Sequence, residues 1–116
     1  MFKFKLVGRD GRGEKYSFLV ANQKWVVIIT KKGKLRGGHL HSKKQLHVML
    51  AGKWLVWAKL KGKQRKFILK AGEAYISPVG EIHMVKALER SIHIEQEQNS
   101  KTFMYKPWRR LVEKDK

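Results

Sequence analysis

Histidine, glycine and proline recur at fixed intervals in two separate stretches of this 116-residue chain, and that spacing constrains the fold more than any bulk property. Residues 33–52 read Gly33-x5-His39-x-His41-x3-Gln45-x6-Gly52, and residues 72–87 read Gly72-x5-Pro78-x-Gly80-x2-His83-x3-Ala87. His39 and His41 are two apart, so on a strand both side chains point to one face. If the strand runs on, Gln45 and His47 keep that parity and Met49 follows, which makes a face of three imidazoles and an amide. The opposite face would carry Leu40, Leu46, Val48 and Leu50. A ligand-rich face backed by an apolar one suits a barrel with a site in its mouth. The turn-rich stretch from Gly72 to Gly80, with Pro78, reads as the approach that delivers His83 from a distant part of the chain.

The length allows one domain, residues 1–116, and the apolar fraction of 42% is enough for a modest core. There is no Cys, which excludes a disulfide framework, a zinc finger and a thiol nucleophile. The opening MFKFKLVGRDGRG reads as lacking the apolar stretch of a signal peptide, and no apolar run reaches the roughly 18 residues of a membrane span. A cytoplasmic protein with no membrane partner is the expectation. The formal charge of +18, from 27 Lys and Arg against nine acids, would attract phosphates on a metabolite, a nucleic acid or an anionic surface. The same charge is equally a solvated Lys-rich surface. No nucleic-acid motif accompanies it, nor does a nucleophile elbow, dinucleotide fingerprint or P-loop.

Most segments have strand texture rather than helical period. Phe2 to Leu6 alternates. Tyr16–Val20, Trp25–Thr30, Leu46–Leu50, Trp54–Leu60, Arg65–Leu69, Ala74–Ser77, Ile82–Ala87 and Ser91–Glu97 follow as short runs, with a hairpin turn at Lys61-Gly62-Lys63-Gln64. Short strands at regular spacing with glycine turns argue for a sandwich or barrel. Trp54-Leu55-Val56-Trp57-Ala58 is apolar on both faces, so a second layer or a partner subunit should cover its outer side, and a homodimer is expected. The tail, residues 99–116, carries Phe103, Met104, Tyr105, Pro107 and Trp108 before Arg109-Arg110. It packs over the barrel or onto a partner, or offers an aromatic-basic surface.

His47 is either an acid or base near neutral pH or a pocket-lining His with satisfied hydrogen bonds. His93 reads as an ordinary strand position. Glu95 and Glu97 share its face and form a close carboxylate pair without a partner motif. Glu81 reads as a turn decoration. Gly37-Gly38, with no helix evident after it, is expected to permit close backbone packing before the ligand strand.

The two stretches resemble the paired motifs of the cupin family, G-x5-H-x-H-x3/4-E-x6-G and G-x5-P-x-G-x2-H-x3-N. Every Gly, Pro and His matches, while Gln45 stands for the family's Glu and Ala87 for its Asn. The resemblance covers residues 33–87. It implies an all-β, single-domain jelly-roll β-barrel, usually dimeric, in which His39, His41, Gln45 and His83 hold one divalent metal such as Mn, Fe, Ni or Zn. Arg36-Gly37-Gly38-His39-Leu40-His41 is similar to the R-G-x-H-x-H stretch of small cupins in sugar-nucleotide and capsular-sugar pathways. Residues 87–95 are similar to the strand-turn-strand that follows the last ligand there. That second likeness implies isomerase or epimerase chemistry on a phosphorylated or nucleotide-linked sugar, with His47 carrying the proton and Arg36 gripping a phosphate. Because cupins serve many functions, a metal-dependent dioxygenase and a non-catalytic module for a small molecule or nucleic acid stand beside it.

Overall fold

The computed structural model describes residues 3–96 and 100–116. Eleven described strands and one helix follow in order: β1 (Lys5–Asp10), β2 (Gly13–Val20), β3 (Gln23–Thr30), β4 (Leu35–His41), β5 (Gln45–Ala51), β6 (Lys53–Leu60), β7 (Lys63–Lys70), β8 (Ala74–Ser77), β9 (Ile82–Ala87), β10 (Ser91–Gln96), β11 (Thr102–Met104) and α1 (Lys106–Glu113). They form a six-stranded sheet, β1-β2-β3-β10-β5-β8, and a five-stranded sheet, β11-β4-β9-β6-β7. All described pairings are antiparallel. The chain crosses between the sheets repeatedly, which gives the jelly roll expected from the sequence. Phe2, Glu97 and Asn99 lie outside the described residues.

Alternation places the core between the sheets. On β6, Trp54, Val56 and Ala58 point inward at 2%, 0% and 1% exposure, while Leu55 and Trp57 turn outward and are half-buried. Met49, Leu69, Tyr75, Val85 and Ala87 complete the cluster around Trp54 and Val56. The hairpin after β6 turns at Lys61 and Gly62, both at positive φ (50° and 78°). That two-residue geometry matches the right-handed twist of the flanking strands.

The strand from His39 does not run on to Met49. Ser42, Lys43 and Lys44 interrupt it; β4 belongs to the five-stranded sheet and β5 to the six-stranded one. The parity argument nonetheless reaches the right side chains, because the inner faces of both sheets look into one interior. His47 and Met49 are buried, Leu46 and Val48 are half-buried on the outer face, and Leu50 is exposed.

Two glycines of the first stretch, Gly52 of the motif and Gly38 between its fixed positions, have a steric reason beyond any turn. A Cβ on Gly52, at φ +84°, would meet the Arg90 carbonyl oxygen at 2.4 Å. A Cβ on Gly38, at φ +76°, would meet the backbone of Arg109 at 2.9 Å. The close approach at Gly38 is made by the tail, not by a neighbouring strand. Strand β11 pairs with β4, and Tyr105 N–H donates to the Gly38 carbonyl (2.9 Å). α1, started by Pro107 in its first turn, lies over β4. Val112 is fully buried there, and Asp115 accepts from the Leu35 N–H at 2.7 Å. The tail is thus a layer of the barrel wall over part of the five-stranded sheet. Glu81 is buried and accepts from Arg65 at 3.3 Å rather than decorating its turn.

Candidate metal centre

Strands β4 and β9 pair with His39 opposite His83 in the register, after a bulge between Gly37 and His39. The bulge re-aims the end of β4 so that His39 and His41 converge with His83. Ring centroids stand 4.6 Å apart for His39 and His41, 4.8 Å for His39 and His83, and 5.3 Å for His41 and His83. One nitrogen from each lies within 4.8 Å of the others. Two rings are oriented by their far nitrogens. Nδ1 of His83 lies 3.3 Å from the Glu81 carbonyl oxygen, and Nδ1 of His41 lies 3.1 Å from Thr102 Oγ1. The Glu81 carbonyl only accepts, so it keeps the His83 proton on Nδ1 and turns Nε2 to the centre, whereas the Thr102 hydroxyl orients the His41 ring without fixing its tautomer.

A second cluster lies beside the first. His47, His93 and Glu95 bring their ligand atoms within 4.8 Å of one another. Both imidazoles address the same Glu95 Oε1, His47 Nδ1 at 3.1 Å and His93 Nε2 at 2.9 Å, and Gln45 Nε2 donates to Oε2 at 3.1 Å. Ser77 Oγ links the clusters, 3.3 Å from His47 Nε2 and 3.5 Å from His83 Nδ1. All five histidines of the chain therefore line one cavity of about 430 Å³. Basic side chains line it: Arg12, paired with Asp10; Arg109, paired with Glu113; Arg36; and the exposed Lys15, Lys43 and Lys44.

Burial sets the charge states. It pulls His39 from 6.5 to about 4, with His41 adding to the effect. It lowers His41, and together with His39 and His47 it holds His83 well below the ordinary imidazole range. His93 is lowered by burial as well. Burial alone would raise the Glu95 carboxyl, but hydrogen bonds from His47 and His93 hold it well below the usual carboxylate range. The triad is thus neutral at pH 7, the form in which imidazole binds metal. Two buried polar atoms bear on whether a cation fits. His41 Nε2 and Gln45 Oε1 have no partner beyond each other. With the His41 proton on Nδ1 both atoms offer lone pairs, and an electron-pair acceptor between them would relieve both. The donor set of imidazoles plus an amide oxygen fits a divalent late metal.

These shifts fix the sign of an acid response. A His whose folded pKa is depressed contributes stability present above 6.5 and lost as pH falls towards the folded value. For His39 the drop from 6.5 to about 4 corresponds to about 3 kcal/mol between pH 7 and 4. His41, His83 and His93 act in the same direction. Chelator-stripped protein is expected to lose stability steeply across that window in denaturant titrations. His39→Gln should flatten the loss. Equal pH slopes for the two proteins would refute the assignment.

Of the residues singled out in the sequence, His39, His41 and His83 come together, with Gln45 beside His41. His47 sits one hydrogen bond away through Ser77. Arg36 lines the cavity, but its Nε donates to Thr30 Oγ1 (2.7 Å) and an Nη to the Ile29 carbonyl (3.0 Å), which leaves part of its fork free. Burial, with Arg12 adding, lowers it to about 10. Sequence reasoning missed His93, which is 1% exposed and bonded to Glu95. It weighed Glu95 only beside Glu97, which lies outside the described residues. The alternation Ser91-Ile92-His93-Ile94-Glu95, polar on one face and apolar on the other, was the available signal. Arg12, Lys15 and Arg109 reach the rim from remote segments and had none.

No family model and no curated protein sequence matches the chain. Among solved structures, the capsular polysaccharide assembling protein CapF from Staphylococcus aureus matches at 20% identity and a TM-score of 0.75, over 88% of this chain and 32% of that one. CapF with the inhibitor 3-isopropenyl-tropolone matches at 20% identity and a TM-score of 0.73, over 88% and 34%. Oxalate decarboxylase from Bacillus subtilis matches at 21% identity and a TM-score of 0.74, over 90% and 31%. The chain spans about a third of the length of these proteins. At such identities the likeness is one of fold, and it agrees with the motif spacing, the two sheets and the converging histidines: the chain has the cupin fold.

Proposed function

We propose that the chain is a metal-binding cupin that acts on a small anionic metabolite, a phosphorylated or nucleotide-linked sugar, by isomerase or epimerase chemistry. One observation carries the reading: a neutral three-histidine cluster lies in a cavity that basic side chains also line, three of them exposed lysines. His39, His41 and His83, with the Gln45 amide oxygen, would hold one divalent ion, whose Lewis acidity polarises a ligand oxygen. The rim cations bind the anionic part of the ligand and turn its reacting end to the histidines. His47 is the proton carrier. Glu95 holds its Nδ1–H, and Nε2 meets the Ser77 hydroxyl at 3.3 Å, so a proton exchanged at Nε2 passes through Ser77 Oγ. Tyr75 stacks against the His47 ring at 5.7 Å and limits its motion.

Elemental analysis of untagged protein, followed by calorimetric titration with a nucleoside-diphosphate sugar, tests this. Binding should weaken with salt, because the rim lies within a Debye length of solvent. Lys43→Ala/Lys44→Ala should weaken it about tenfold, roughly the worth of two charges near a ligand phosphate. Salt-independent binding, or an unchanged double variant, would overturn the anion reading. Tightly held iron with oxygen uptake would favour a dioxygenase instead. A salt-sensitive shift of DNA or RNA would favour a nucleic-acid module.

The sequence places the expected dimer contact on the outer side of β6, where Trp57 instead borders a groove shared with Trp108 and Leu111 of the tail. We therefore assign the homodimer to the outer face of the six-stranded sheet. The segments Trp25–Ile29, Leu46–Leu50, Ala74–Ile76 and Ile92–Ile94 carry no Lys, Arg, Asp or Glu in a chain of net charge +18. Side by side, they present Trp25, Val27, Ile92, Ile94, Val48 and Ile76 outward. Two strongly cationic copies approach at least electrostatic cost through this uncharged face. Light scattering should return a dimer, and Ile94→Glu a monomer. A native monomer at all micromolar concentrations would sink the proposal.

A further inference from the structure

Position 45 holds an amide where the motif calls for a carboxylate, and a carboxylate is nevertheless one hydrogen bond away. Strand β10 lies beside β5 with Glu95 opposite His47, so Glu95 and Gln45 are diagonal neighbours on the inner face. Gln45 Nε2 donates to Glu95 Oε2 at 3.1 Å, while Glu95 Oε1 accepts from His47 and His93. The carboxylate side chain is 17% exposed. An ionised carboxylate only accepts hydrogen bonds, so it sets which end of the Gln45 amide it faces. The NH₂ goes to Glu95. The other end, Oε1, is buried beside His41, and neither it nor His41 Nε2 has a partner outside this pair.

We infer that Glu95 is a positioning residue for the metal centre, and that Gln45 and Glu95 together act as a carboxylate displaced by one hydrogen bond. Glu95 points the amide oxygen of Gln45 at the His39–His41–His83 cluster and supplies the site's negative charge from β10 instead of β5. The same geometry accounts for the amide. A carboxylate at 45 would face that of Glu95 across about 3 Å, where two like charges do not both ionise. The inference rests on the metal reading, and the experiment separates the two.

Mn²⁺ is titrated into chelator-stripped protein, with free ion read by electron paramagnetic resonance and unfolding followed with and without Mn²⁺. In Glu95→Gln the new amide leaves Gln45 without its acceptor, and the amide at 45 loses its enforced orientation. Affinity should fall about 10–100-fold, as for loss of an outer partner of a metal ligand. The exchange variant Gln45→Glu/Glu95→Gln keeps every hydrogen bond. The amide oxygen at 95 still accepts from His47 and His93, and its NH₂ donates to the carboxylate at 45. It should bind Mn²⁺ within about threefold of the native chain or more tightly, a rescue that loss of folding in the single variant cannot mimic. Gln45→Glu alone should lower the unfolding midpoint of stripped protein at pH 7 by crowding two carboxylates. Native-like affinity in Glu95→Gln, or no rescue in the exchange variant, would overturn the inference and leave the metal reading intact. If the native chain takes up no Mn²⁺ while still folded, the metal reading itself falls.

Discussion

Replacing His39 and His83 together by alanine is expected to remove the metal from the purified protein, with affinity falling by well over 100-fold. Loss of a mere outer partner costs about 10–100-fold, and here two of the three converging imidazoles disappear. What remains, His41 and the Gln45 oxygen, is a pair of neutral donors that cannot close a coordination shell. The fold should survive. His39 is only half-buried, and the described contacts of the His83 ring are other site histidines, the Glu81 carbonyl and Ser77. Elemental analysis beside far-ultraviolet circular dichroism reads both halves of the expectation. Metal content equal to that of the native chain, in a folded variant, would move the site away from this cluster. Lys43→Ala is the matched control: it strips charge from the rim and should leave the metal in place.

The second large effect is on stability. Trp54→Ala should destabilise the protein by about 3–5 kcal/mol, the usual cost of removing a large aromatic side chain from a packed interior. Trp54 is 2% exposed at the centre of the core cluster. Its indole N–H donates to Ser91 Oγ at 2.9 Å, and its ring meets the His93 ring edge-on at 4.2 Å. The substitution opens a cavity and leaves the fully buried Ser91 hydroxyl without its donor. A domain of this size has about 5–15 kcal/mol in total, so the unfolding midpoint should drop by roughly 10–25 °C. Trp54→Phe, which keeps a ring but loses the N–H, should cost less. A drop under about 5 °C for the alanine variant would mean that the interior is not organised around this side chain. Because Trp54 also meets His47 edge-on at 6.2 Å, the same variant should loosen the second histidine cluster.

Much of the site could be read along the chain because its parts are local. His39 and His41 share a face by the period of two, and the turn glycines and Pro78 mark where the segment bearing His83 re-enters. The same period, carried across Ser42-Lys43-Lys44, put Gln45 and His47 on one strand with them. The chain instead changes sheets there, and the residues stay on the inner side only because the two sheets face each other. The tail was recognisable as aromatic and basic. That it forms β11 and α1 and packs on Gly38 depended on a contact across some seventy positions.

The sequence by itself determined the barrel class and the shared face of His39 and His41, because strand alternation and turn chemistry act between residues a few positions apart; His83 joined them only through the likeness to the paired cupin motifs. Only the tertiary structure decided that β10 enters between β3 and β5. That insertion brings Glu95 and His93 to His47, turns the Gln45 amide, and closes a cavity with cations from both ends of the chain. Such pairings join segments whose separation leaves no periodic trace. They are selected by burial of the whole inner surface rather than by any local preference.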